Sequence, residues 1–126
     1  MTSSKNFISI DYGTHKSGLA YCISGFCFAH KTIPTSILLP FLRDWIQAKN
    51  AGTIILGMPY NIDGSMSKHG KKVLIFEKIL QKTFPELTII LHDERLTTSE
   101  ATLSGVDDID AESARLILED YINTRG

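Results

Sequence analysis

The sequence predicts an α/β domain built on one mixed five-stranded sheet, three antiparallel strands then two parallel ones, with helices on both faces. Three observations lead there. Asn6–Asp11, Lys16–Ser24 and Phe26–Ile33 are strand-like runs whose connections are too short for a crossover, so they pair as antiparallel neighbours. Thr53–Leu56 and Leu87–Leu91 are short apolar runs of the kind buried on both faces of a sheet. A helical pattern precedes each of them, and right-handed crossovers then bring these later strands beside the first.

Taken in order, Asp11 closes the first strand and Tyr12-Gly13 opens a turn. Ser24-Gly25 turns the second strand into the third, which Pro34 ends. Thr35 or Ser36 can N-cap a helix running to about Lys49. Its apolar face is Leu38, Leu39, Leu42, Trp45 and Ile46, and Pro40 falls harmlessly in its first turn. Asn50 and Gly52 end it. Gly57–Ser67 is a loop, followed by a helix from about Lys68 to Thr83 with Val73, Phe76, Ile79 and Leu80 at helical spacing. Pro85 breaks that helix. A short helix is expected over Thr98–Leu103, then a loop over Gly105–Ile109. Asp110 can N-cap the last helix, whose face is Ala114, Ile117, Leu118 and Tyr121.

Size and composition bound the rest. The 126 residues, 43% of them apolar, fit a single domain with one core. No apolar stretch is long enough for a bilayer span; the nearest candidate, Ile37–Leu42, is stopped by Arg43 and Asp44. The opening MTSSKNF lacks a signal peptide's apolar region, and a cytoplasmic address is the expectation. Cys22 and Cys27 flank a turn and have no second ligand pair at metal spacing; they read as thiols on neighbouring strands, not a zinc site. A net charge of −1 does not advertise nucleic acid, although Lys68, His69, Lys71 and Lys72 make a local basic cluster.

The chemistry-bearing residues are acidic. Asp11 ends the first strand; Asp93 and Glu94, followed by Arg95, come directly after a buried strand; Asp107, Asp108 and Asp110 precede or open the last helix. Each has an ordinary local explanation: a turn acceptor, a surface ion pair, a helix cap. The expected sheet, however, brings Asp11, Asp93 or Glu94, and Asp110 to one edge. Carboxylates gathered without basic partners repel, and a divalent cation resolves the repulsion. Pairs of Mg²⁺ or Mn²⁺ held about 3.5–4 Å apart are the usual apparatus of phosphodiester hydrolysis. The Gly57–Ser67 loop lies on the same edge, with Asn61, Ser67 and Lys68 placed for phosphate contacts.

Four motifs, "IDYGTHKSGLA", "ILGMPYNIDGS", "DERLTTSEA" and "IDAESARLILEDYI", together resemble the YqgF (RuvX-type) family, in family order and spanning Phe7 to Ile122. The resemblance implies a ribonuclease-H-like fold and kinship with Holliday-junction resolvases. It implies a metal-dependent nuclease maturing the 5′ end of precursor 16S ribosomal RNA, or a resolvase of branched DNA. A resolvase would be a homodimer, because a junction presents two strands to cut. By the same resemblance Asp11 matches the first metal aspartate, Glu94 the acid after the fourth strand, with Asp93 as its rival, and Asp110 the acid opening the last helix. Arg95, Thr97 and Thr98 match the polar tail of the third motif. Lys16, Lys68 and Arg95 are expected to border the acids and grip phosphate.

The chain also departs from the family pattern. His15-Lys16-Ser17-Gly18 has one basic residue fewer than the usual first motif, and Val106, Asp107 and Asp108 stand where basic residues commonly precede the last aspartate. Both changes weaken the phosphate grip more than the metal site. Two other readings remain open. Asp-x-Gly-Thr also resembles the phosphate hairpin of actin-like ATPases, but those need two such domains. A non-catalytic domain binding RNA or the transcription machinery would suit the reduced basic character.

Overall fold

The computed structural model describes residues 5–94 and 108–125. Among them, five strands form one sheet in the order β3-β2-β1-β4-β5. β1 (Asn6–Asp11), β2 (Lys16–Ile23) and β3 (Phe26–Pro34) make the antiparallel meander. β4 (Ala51–Met58) and β5 (Thr88–Asp93) add on in parallel beside β1. The expected mixed α/β sheet is therefore the one found. The β2–β3 turn has positive φ at both Ser24 and Gly25, 54° and 85°, the two-residue hairpin geometry that matches strand twist.

α1 (Leu38–Ala48) and α2 (Lys68–Thr83) cover one face. There Leu42, Trp45, Val73, Phe76 and Leu80 pack on Ile8, Ile10, Leu19, Ile54 and Leu56. α3 (Ile109–Arg125) covers the other, where Ala114, Ile117 and Leu118 meet Ala20, Cys22 and Ile55. Adjacent residues Ile54 and Ile55 thus feed opposite cores, which is why β4 reads as continuously apolar. Cys22 and Cys27 face each other across β2 and β3 as free thiols.

Several expectations need correction. β4 starts at Ala51, so Gly52 belongs to a strand, and Asn50 alone takes the left-handed position after α1, with φ 51°. Neither Thr35 nor Ser36 caps α1, which is entered through a 3₁₀ turn, Thr35–Ile37, with no side-chain cap. The Thr35 hydroxyl instead donates to the Gly13 carbonyl at 2.7 Å and meets Ser17 Oγ at 2.8 Å, tying down the loop after Asp11. Ser67 does cap α2, accepting from the Gly70 amide at 2.9 Å.

Asp110 does not cap α3. Helix geometry begins at Ile109, and Asp108 accepts from the Ala111 amide at 3.2 Å. The same Asp108 carboxylate accepts from the Thr32 amide at 3.1 Å and from the Thr32 hydroxyl, which fastens the start of α3 to β3. Burial pushes the Asp108 carboxyl up, but those hydrogen bonds outweigh it and its pKa lies below the usual carboxylate value. Asp108→Ala should cost about 1–2 kcal/mol in urea unfolding. An unchanged midpoint would show that the tether carries no weight. The helix expected over Thr98–Leu103 lies outside the described residues.

Candidate active site

Asp11 is the last residue of β1, and strand alternation sets where it points. Ser9, two residues earlier, donates to the Ala114 carbonyl of α3 at 2.6 Å, and Phe7 packs edge-on against Tyr121 of the same helix. Asp11 shares their parity and faces α3. Its neighbours across both ladders are glycines. Gly18 lies directly opposite on β2. On β4, Leu56 pairs with Ile10, so Gly57 follows beside Asp11.

Each glycine makes room for another acid. A Cβ on Gly18 would stand 1.9 Å from the Asp110 carbonyl oxygen, so the bare backbone lets the first turn of α3 settle on β2. A Cβ on Gly57 would stand 2.6 Å from Ile117 Cδ1 of α3 and 2.7 Å from Glu94 Cδ, so Glu94 folds back over β4 on the α3 side. Asp93 has the parity of Leu91, which packs in the α1–α2 core, so strand alternation directs it to the opposite face from Asp11. Of the two acids at the end of β5, Glu94 is therefore the one beside Asp11.

The electrostatics agree with this convergence. Burial raises the Asp11 carboxyl to about 6, Asp110 adds to the rise, and His69 opposes it. Burial raises Glu94 to about 7, with Asp11 and then Asp93 adding. Among the described residues, no Lys or Arg forms an ion pair with Asp11 or Glu94. Lys16 Nζ lies 3.3 Å from Asp110 Oδ2, a largely exposed pair of small energetic weight. No three His, Cys, Asp or Glu side chains among the described residues stand close enough to hold an ion as they are. Asp11 is the acid that feels both others, Asp110 on one side and Glu94 on the other, and the expected shared site is not closed among the described residues.

The expected phosphate contacts fare unevenly. Lys16 borders the acids through Asp110. Asn61 is exposed and spends its groups on its own loop, bonding Ser65 and Gly64. Ser67 is occupied as the α2 cap and by the Pro59 carbonyl. Lys68 is exposed at the start of α2, and its helix neighbours are what reach the β1–β2 loop. His69 Nε2 bonds the Tyr12 carbonyl at 2.6 Å, and Lys72 Nζ donates to Thr14 Oγ1 at 3.2 Å. Sequence reasoning placed both in the basic cluster but not in the site. Their i, i+3 spacing on one helix face was the available signal. Arg95, Thr97 and Thr98 lie outside the described residues.

Comparison with known proteins bears on what such a site does. The RuvX family, described as Holliday junction resolvase, matches residues 5–124. A Bacteroides thetaiotaomicron protein is 30% identical over 132 residues, covering 94% of this chain and 96% of its own. A Bacteroides fragilis protein is 29% identical over the same span and coverage, and an Acetivibrio thermocellus protein 28% identical over 135 residues at that coverage. All three carry the name "Putative pre-16S rRNA nuclease". Among solved structures, YeaZ from Pseudomonas aeruginosa overlays 71% of this chain and 44% of its own, at 16% identity and a TM-score of 0.43, too loose a likeness to argue from.

Proposed function

Since this chain belongs to the RuvX family, we propose that it is a divalent-metal-dependent nuclease, acting on the precursor of 16S ribosomal RNA, with its centre at Asp11, Glu94 and Asp110. The observation that carries this is the pair of glycines flanking Asp11, each vacated for a segment bearing another acid. The same glycines let α3 seat closely on the sheet, Gly18 against its first turn and Gly57 against Ile117. The described residues share one sheet, which supports reading the chain as a single nuclease domain.

The donor set suits a hard cation. It is all carboxylate oxygen, and burial first, then the neighbouring acids, raise both Asp11 and Glu94. Asp11, Glu94 and Asp110 would hold Mg²⁺ or Mn²⁺, which when bound supplies a hydroxide at neutral pH and charge for the leaving oxygen. Lys16 sits against Asp110 and, were a cation held by that carboxylate, would be placed to meet a phosphate. Lys72 and His69 hold the Tyr12–Thr14 turn beside Asp11, keeping the entry to the site in shape. Among the described residues no helix is long and apolar enough to cross a membrane.

The family description favours a second substrate, a four-way DNA junction, for which the active form would be a homodimer. Side-by-side cleavage assays with precursor 16S ribosomal RNA and a four-way junction, in Mg²⁺ and in Mn²⁺, test the reading. Cleavage of the RNA supports it and cleavage of the junction alone transfers it to DNA. No metal-dependent cleavage of either leaves a binding domain.

A further inference from the structure

The α1 side of β3 carries an aromatic surface that the catalytic reading does not use. His30 stacks on Trp45 with centroids 4.9 Å apart and planes 18° apart, and Phe41 packs against both. Tyr21 joins Phe28 at 5.3 Å on the same face. A groove of about 340 Å³ runs beside them, lined by His30, Phe41, Asp44, Trp45 and Ala48. His30 is exposed and Phe28 is 46% exposed, so these rings do more than close the core.

A β-bulge sets the charge of this surface. Ala20 pairs with Ala29 but Leu19 pairs with Lys31, which leaves His30 as an extra residue. His30 and Lys31 consequently both reach the α1 face: His30 against Trp45, Lys31 with Nζ 4.9 Å above the Phe41 ring. Lys49, at the end of α1, places Nζ 4.0 Å above the Tyr21 ring. After burial, Lys31 and Lys49 are the causes that lower the His30 pKa, so both ammonium charges bear on the groove's own ring. An apolar protein partner would have to desolvate two ammonium groups here. A strand with stacking bases and a phosphate backbone would use both features at once.

We propose that this groove takes an unpaired base of a single-stranded RNA segment, stacked on Phe41 and His30, with Lys31 and Lys49 on the flanking phosphates. Asp44, the carboxylate among the lining residues, would be available to accept from an amino group of the base. The assignment rests on the nucleic-acid reading but uses residues outside the acidic centre. It gives a chain of net charge −1 a local hold on its substrate.

Trp45 is the sole tryptophan, so its fluorescence reports the groove directly. The test titrates wild type with an oligoadenylate of roughly ten nucleotides, in chelator so that no metal-dependent cleavage runs. A saturable change in Trp45 emission is expected, with none from a blunt RNA duplex of equal length. His30→Ala, Phe41→Leu and the exposed Lys31→Gln should each weaken binding at least about fivefold, with melting curves confirming that the variants fold. Unchanged affinity in Lys31→Gln and in whichever ring variant folds would overturn the proposal, as would an equal response to duplex. Cleavage in Mn²⁺ is scored separately. Intact cleavage with no groove binding refutes the groove alone, and groove binding without cleavage refutes the nuclease alone.

Discussion

Asp11→Asn should abolish metal-dependent cleavage while leaving the metal-free protein at least as stable as wild type. The two effects share one cause. Asp11 is buried beside Asp110 and Glu94, and its ionised form is disfavoured, with a pKa of about 6. An amide keeps the shape and removes a charge that the fold holds at a cost. A turn-forming acceptor would behave in the opposite way, since its loss destabilises. The pH dependence follows with a definite sign. Asp11 and Glu94 have folded pKa values near 6 and 7, above their ordinary 3.8 and 4.5. The folded state therefore binds protons more tightly, and stability falls as pH rises between about 4 and 7. The total is on the order of a few kcal/mol. Urea midpoints of the metal-free protein should drop across that window in wild type and drop less in Asp11→Asn. A wild-type midpoint rising with pH there would contradict the cluster.

Gly18→Val should be more damaging to the fold than any substitution within the acids. The added Cβ meets backbone, with the Asp110 carbonyl oxygen 1.9 Å away and the Ala111 nitrogen 2.7 Å away. Backbone cannot rotate aside as a side chain can, so the first turn of α3 must lift from β2. A loss of at least about 3 kcal/mol is expected, at the upper end of overpacking effects. Cleavage should fail with it even in conditions where the variant folds, because Asp110 leaves the cluster. Denaturation by urea, together with cleavage measured well below the midpoint, reads both. A variant as stable and active as wild type would show that α3 docks differently.

Much of the fold was legible because its signals are local. β1 and α2 have the bounds that their patterns imply, and Pro34, Ser67 and Ser24-Gly25 act as punctuation should. What misled was competition between local and distant partners. Thr35 looks like a helix cap, but Gly13 and Ser17, far away in sequence, claim its hydroxyl. Asp110 looks like the cap of α3, but Asp108 takes that place because Thr32, 76 residues away, holds it there. Gly52 looks like a helix stop, yet Asn50 had already made the left-handed turn. The acids of the proposed site could be named from sequence, whereas the glycines beside Asp11 could not be assigned a role without the strand register. Choosing Glu94 over Asp93 needed only strand parity counted from Leu91. The bulge at His30 left no mark in the sequence, because a single extra residue in an edge strand alters no hydrophobic pattern that can be read beforehand.

The most direct test of the central claim, that Asp11, Glu94 and Asp110 share a divalent cation, is calorimetric titration with Mn²⁺. Wild type should bind Mn²⁺ at about pH 8, where the raised carboxyls are ionised, and lose most of that binding at about pH 5. Asp11→Asn should bind little at either pH, and Asp44→Asn, on α1 across the sheet, should bind as wild type does. Mn²⁺ bound by Asp11→Asn with wild-type affinity would contradict the claim.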